Sequence, residues 1–317
     1  MEEILVSYSS LNTFASCSRK FEFDKLYPRL PRDGSWYAAD TGSALHAGYQ
    51  DYLIHKDVDR ATWIFMQAFP YMGEFEQTND YRSFEACLAT LEAMIAEVRM
   101  NEYELAQIKT PSGEVKPAIE VPFKIRFPDF TVSPCTRYPE GATISFIGYI
   151  DAIMQNLMTN VYRTLDIKTT RMMLNDATAK FQFDTQQIPY GIVVDHVAQD
   201  VVESFEVLYL DCYIDLLEPK TQVYPFMKTQ QDIQEWGTNK MIQLGQLRNF
   251  IESDFFPRTD SGCLFYNKPC RYLDCCSSRD SKALEHWFLM GMEPETPEPF
   301  EPWIIADIST GGGNAAA

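Results

Sequence analysis

Ile144-Ser-Phe-Ile-Gly-Tyr-Ile-Asp151 and Val161-Tyr-Arg-Thr-Leu-Asp166-Ile-Lys168 are two short segments rich in β-branched and aromatic residues. The polar stretch from Gln155 to Asn160 separates them. Such composition favours strands, and a polar break between them favours a hairpin. Side chains alternate faces along a strand, so Asp166 and Lys168 point the same way, and the hairpin can set Asp151 beside them. Two carboxylates and one ammonium then share a pocket.

Hydrolysis of a phosphodiester uses such a trio. Two aspartates offer hard oxygen ligands for Mg²⁺ or Mn²⁺, which neutralises the scissile phosphate and acidifies water, while a lysine orients the attacking water or steadies the developing charge. An Asp-x-Lys tripeptide by itself equally describes an exposed strand end with a solvated ion pair. What accompanies it therefore matters. Gln186-Gln-Ile-Pro-Tyr190 follows by about twenty residues and leads into Ile192-Val-Val. Placed on one helix, Gln186 and Tyr190 share a face and can hydrogen-bond DNA phosphates without reading sequence. Upstream, Gly42-Ser-Ala-Leu-His46 puts one of only four histidines near the start of an expected helix. A neutral imidazole suits an Mn²⁺-type site.

Taken in order, Gly42 with His46, Gly148 with Asp151, Asp166 with Lys168 and Gln186 with Tyr190 resemble the motif series of the PD-(D/E)xK nuclease superfamily, in its RecB-like branch. The resemblance implies a restriction-endonuclease-like α/β core, with a central mixed β-sheet flanked by helices. It further implies metal ligation by His46, Asp151 and Asp166, catalysis by Asp151, Asp166 and Lys168, and DNA positioning by Gln186 and Tyr190. Glu120, in Ala118-Ile-Glu-Val-Pro-Phe, matches the acidic residue on an early strand of many relatives.

Eight cysteines give a second line of inference. They stand at 17, 87, 135, 212, 263, 270, 275 and 276, four of them in one C-terminal segment. The start Met-Glu-Glu-Ile-Leu-Val-Ser lacks the basic flank and apolar run of a signal peptide. A reducing, cytoplasmic setting is expected, in a bacterium or a phage-infected cell, where clustered thiolates read as metal ligands rather than disulfides. Iron–sulfur clusters and structural Zn²⁺ both accept four cysteines, and the spacing leaves both open. Ser7-Tyr-Ser-Ser-Leu-Asn-Thr-Phe-Ala-Ser-Cys17-Ser-Arg-Lys-Phe resembles the opening segment of the iron–sulfur subgroup, of the CRISPR-associated and AddB-like exonuclease type. That likeness implies a structural [4Fe–4S] cluster on Cys17, Cys263, Cys270 and Cys276, with Cys275 the alternative fourth ligand. Five residues separate Cys270 from Cys276, matching the subgroup's closing pair, whereas six separate Cys263 from Cys270 where two are commoner. Cys87, Cys135 and Cys212 read as structural thiols.

At 317 residues and 45% hydrophobic content, the chain can bury a sizeable core as one elaborated domain or two. The organisation expected is a single nuclease domain over 1–292. Residues 1–56 carry the first cluster cysteine and the metal histidine, 57–110 a helical insertion, 111–226 the core, and 227–292 a helix and a cysteine lobe. Phe84, Leu88, Leu91, Ile95 and Val98 step at helical spacing, and Thr229-Gln-Gln-Asp232 resembles a capping box ahead of Ile233, Trp236, Leu244, Leu247 and Ile251. Strands are expected over Ile119–Ile125, Phe205–Tyr213 and Thr221–Phe226. Residues 293–317, acidic and Pro-rich, read as a flexible tail. No apolar run reaches membrane-spanning length.

A net charge of −18 opposes long-range attraction to nucleic acid. Arg19, Lys20, Lys25, Arg29 and Arg32, interleaved with Phe21, Phe23 and Tyr27, form a local exception suited to stacking and phosphate contact. The function expected is that of a metal-dependent DNA exonuclease acting on single strands or free ends, in recombination, repair, or phage or CRISPR-type DNA processing alongside recombination or replication proteins. Two other classes stay open: a non-catalytic DNA-binding or adaptor protein with a nuclease-like fold, and a zinc-stabilised interaction module.

Overall fold

The computed structural model describes residues 2–26, 29–31, 37–70, 82–170, 184–198, 204–215, 217–259, 263–265, 268–273, 276, 292–294 and 299–308. The elements are β1 (Glu2–Val6), α1 (Tyr8–Ser16), α2 (Ser18–Phe21), a π-helical turn over Glu22–Leu26, β2 (Arg29–Pro31), α3 (Tyr37–His55), α4 (Val58–Ala68) and α5 (Phe84–Ile95). Then come β3 (Tyr103–Leu105), β4 (Gln107–Lys109), β5 (Val115–Pro117), β6 (Ile119–Val132), β7 (Ala142–Asn156), β8 (Tyr162–Thr170), α6 (Ile188–Ala198), β9 (Ser204–Tyr213), β10 (Lys220–Thr229) and α7 (Gln230–Glu252). Four short strands close the order: β11 (Leu264–Phe265), β12 (Lys268–Pro269), β13 (Met292–Pro294) and β14 (Ile304–Asp307).

The fold is α/β, built on a mixed eight-stranded sheet of order β10-β9-β8-β7-β6-β14, with β1 and β3 also pairing to β7. β8 runs antiparallel to β7 and parallel to β9. Two compact units can be separated. One comprises Met1–Gly34, Lys124–Gly148 and Gly237–Ala316, the other Ser35–Phe123 and Tyr149–Trp236. β6, β7 and α7 are long enough to contribute residues to both.

In the second unit, the expected hairpin forms because its turn carries its own hydrogen bonds. Asn156 Oδ1 accepts from the backbone N–H groups of Met158 and Thr159, both at 3.0 Å, and Asn160 takes the left-handed backbone (φ 56°) that asparagine tolerates. The register pairs Gln155 with Tyr162 through Ala152 with Leu165. Leu165 and Ile167 join a core with Leu45, Tyr49, Leu91 and Met94, each such side chain contributing about 1.5–3 kcal/mol of burial. Asp166 and Lys168 take the alternate positions. Helices α3 and α4 meet closely at Gly48, where a Cβ would come within 2.9 Å of Phe65 Cβ.

Several boundaries differ from expectation. His46 lies midway along α3 rather than near its start, since the helix begins at Tyr37. α5 stops at Ile95, and Val98 stands in a following 3₁₀ turn, 71% exposed. The capping box is present, with Thr229 N–H donating to Asp232 Oδ2 at 2.7 Å and Asp232 N–H to Thr229 Oγ1 at 3.3 Å. β6 extends seven residues past Ile125, to Val132.

Within the first unit, the expectation of an unpacked tail after residue 292 fails over two stretches. Met292–Pro294 pairs with Arg29–Pro31, and Ile304–Asp307 adds β14 to the edge of β6. Ile304 and Ala306 alternate inward while Asp307 meets Arg126 through two hydrogen bonds of 2.6 and 2.7 Å. The proline-rich composition hid an apolar alternation too short to weigh against it. Among the described residues no helix is long and apolar enough to cross a membrane.

Candidate metal and thiolate sites

All the residues of the polar site belong to the second unit. Ile167 N–H donates to Asp151 Oδ2 at 2.8 Å, just beyond the last ladder pair of β7 and β8. A side-chain carboxylate here accepts a strand N–H, which fixes Asp151 opposite Asp166-Ile-Lys168. Lys168 Nζ lies 2.7 Å from Asp166 Oδ2, and Asp166 is 1% exposed. From α3, His46 Nδ1 comes within 3.8 Å of Asp151 Oδ2. Glu120 closes the group from β6. One ligand atom each from His46, Glu120 and Asp151 lies within 4.8 Å of the others. Beside them opens a cleft of about 390 Å³ lined by Gly42, Ser43, His46, Gln50, Glu120 and Thr169.

Electrostatics set the charge states. Burial, then the repulsion of Asp166, pushes the Asp151 carboxyl above its usual range, with Ile167 N–H and Lys168 opposing. Burial likewise raises Asp166, against the pull of Lys168. Burial disfavours the Lys168 ammonium, but Asp166 and Asp151 more than compensate and keep it protonated. His46 is pushed down to about 4 by burial and by the charge of Lys168, so its imidazole is neutral near pH 7 with a lone pair to offer. Carboxyls this close resist ionising together, and a divalent cation relieves that repulsion. One neutral imidazole and two carboxylates also make a suitable donor set for Mn²⁺ or Mg²⁺. The residues fit the ion.

The structure brings Asp151, Asp166, Lys168, His46 and Glu120 into one place and modifies two expectations around them. Gln186 stands in the turn before α6, not on the helix with Tyr190, because the helix starts only at Ile188. There it accepts a hydrogen bond from Lys168 Nζ at 3.3 Å. Tyr190 is 5% exposed and packs edge-on against Phe123 with centroids 5.5 Å apart. Burial and the nearby carboxylates hold its phenol well above its ordinary pKa.

Three neighbours escaped the sequence reading. Asp184 Oδ1 accepts the Gln186 N–H at 2.8 Å, and its carbonyl accepts from the buried Lys228 Nζ at 3.1 Å, which pins the turn bearing Gln186. Gln50 lies one helical turn beyond His46 and donates its amide to Glu120. A polar residue four positions after a candidate ligand was the available signal.

The first unit holds the thiols. Cys17, Cys263, Cys270 and Cys276 line one cavity of about 20 Å³ together with Arg19, Lys20, Phe23, Arg258 and Tyr272. β11 and β12 form a small hairpin flanked by Cys263 and Cys270, with Cys270 N–H bonded to the Cys263 carbonyl at 2.8 Å. Cys17 lies between α1 and α2. Its burial raises the thiol pKa, but backbone N–H groups of Thr259, Lys20 and Arg19 and the Thr259 side chain outweigh that and lower it. Cys276 is instead raised, by burial foremost, with Cys17 and Cys263 adding to the rise. Cys275 lies outside the described residues, as do Tyr27 and Arg32 of the basic patch. Four convergent thiols, one already receiving N–H donors, suit a thiolate-bound metal group.

Comparison with known proteins agrees with this geometry at the level of family. The model of the PD-(D/E)XK nuclease superfamily matches residues 5–277. Among solved structures, a protein described as "Putative exonuclease" from Eubacterium rectale aligns at 15% identity and TM-score 0.44, over 86% of this chain and 93% of its own. A protein named SSO0001 aligns at 11% identity and TM-score 0.24, over 74% and 80%. With TM-scores below 0.5, neither likeness bears on the reading of the site. No curated protein matches.

Proposed function

We propose that this chain, which belongs to the PD-(D/E)XK nuclease superfamily, is a metal-dependent deoxyribonuclease that degrades single-stranded DNA or DNA from free ends. The observation that carries the reading is the meeting of Asp166, Lys168, Asp151, His46 and Glu120 in one place, beside a cleft that His46 and Glu120 line. His46, Asp151 and Glu120 hold one Mg²⁺ or Mn²⁺, and Asp166 contributes to that ion or to a second. A cation bound there supplies positive charge at the scissile phosphate and acidifies nearby water. Lys168, kept protonated by Asp166, orients the attacking water and balances charge that develops on the phosphate. Gln186 steadies the ammonium from the other side. Gln186 sets the DNA backbone in register, steadied by the buried Tyr190 phenol with which it shares a side-chain hydrogen bond.

The thiol site takes a structural [4Fe–4S] cluster on Cys17, Cys263, Cys270 and Cys276. What supports this over a lone zinc is the likeness of the segment around Cys17 to the opening of the iron–sulfur subgroup and the five-residue gap from Cys270 to Cys276.

End dependence is tested on matched linear and covalently closed circular single-stranded DNA with Mn²⁺. Loss of the linear form alone supports the exonuclease, and equal loss of both makes the enzyme an endonuclease.

A further inference from the structure

Gln50 is 8% exposed, on the face of α3 that carries His46 one turn earlier, and its Nε2 donates to Glu120 Oε1. Glu120 holds a left-handed backbone, φ 45°, within a strand. Glutamate adopts that conformation at a cost in energy, and such strain persists where surrounding contacts fix it. Two independent features therefore constrain one carboxylate, a strained backbone and a buried amide donor.

Building on the metal-dependent reading above, we propose that Gln50 is a positioning residue that aims the Glu120 carboxylate at the divalent cation. The choice of an amide follows from charge. An arginine or lysine in its place would neutralise Glu120 and compete with the cation, and a hydroxyl would be too short to reach it. A neutral amide engages one carboxylate oxygen and leaves the full negative charge to the ion. Outer partners of this kind typically change metal affinity by about 10–100-fold when removed.

The test is Mn²⁺ titration of the full chain by calorimetry, with the metal-free melting temperature as control, on wild type, Gln50→Met, Glu120→Gln and the double variant. Gln50→Met keeps the buried volume and removes the donor. It is expected to weaken Mn²⁺ binding by about 10-fold or more, and to cause no further loss in the Glu120→Gln background, because it acts through Glu120. Wild-type affinity in Gln50→Met, a loss that adds to that of Glu120→Gln, or no Mn²⁺ binding by wild type overturns the proposal. If Gln50→Met melts early, Gln50→Asn, which withdraws the donor by one methylene, replaces it with the same expectation. Mn²⁺ binding with this pattern in a protein that cuts no DNA leaves Gln50 its role and removes the nuclease reading instead.

Discussion

The polar site and the thiol site solve opposite problems. At the polar site, burial drives Asp151 and Asp166 above the usual carboxylate range, the charge of Asp166 adding to the rise at Asp151 and that of Asp184 to the rise at Asp166, with Lys168 as the counter-charge beside them. Its geometry leaves a demand for more positive charge. At the thiol site the polypeptide closes its own frame: Ser18 Oγ donates to the Pro257 carbonyl at 2.8 Å, Tyr272 Oη to Asp24 Oδ1 at 2.6 Å, and Arg258 Nη1 to the Cys276 carbonyl at 3.2 Å. Phe23 packs at a tilt against Tyr272, with ring centroids 5.2 Å apart. On the reading proposed above, the first site would need its ion for chemistry, and the second would use a metal group to fasten together segments distant in sequence.

The largest effect on stability that this contrast predicts is that of Cys17→Ser. Removing one thiolate would deprive the proposed cluster of a ligand, so visible absorbance of anaerobically purified protein should fall and the protein should lose at least about 2 kcal/mol, a drop of roughly 5 °C or more in Tm. Mn²⁺ affinity at the polar site should persist. Equal Tm with and without Cys17 breaks the contrast, since the polypeptide frame would then suffice alone. A smaller effect is expected for Tyr272→Phe, which deletes only the hydrogen bond to Asp24 while Arg271 still pairs with that carboxylate. A loss of about 1 kcal/mol, or ~2–4 °C in Tm, with unchanged absorbance is expected. Loss of absorbance in Tyr272→Phe would mean that the frame itself positions the thiols.

The two sites also differ in how far the sequence revealed them. The hairpin was legible because strand alternation, a polar turn and the Asp-x-Lys step fall within one short stretch, and period-two geometry places Asp166 and Lys168 together whatever surrounds them. His46 was legible as a residue but not its place on α3, because the residues that begin the helix at Tyr37 carry no strong cap signal. Glu120 was a weak candidate because its left-handed backbone is a tertiary constraint invisible in composition. Asp184, Lys228 and Gln50 were missed because each acts on a neighbour through folding, not spacing. Likewise Cys17 and Cys276 meet through contacts between distant segments, so only resemblance to a family joined them. β14 was lost in an acidic, proline-rich background.

Lys168 carries the nuclease reading most directly. Wild type and Lys168→Ala, both checked for native circular dichroism, should be compared on 5′- and 3′-labelled single-stranded and duplex DNA with Mn²⁺ or Mg²⁺, with chelator as control. Metal-dependent cleavage by wild type is expected, with a fall of about 10²–10³-fold or more in the variant, the scale of losing one preorganised charge-stabilising group. Full cleavage by Lys168→Ala, or none by folded wild type with either metal, would contradict the nuclease reading.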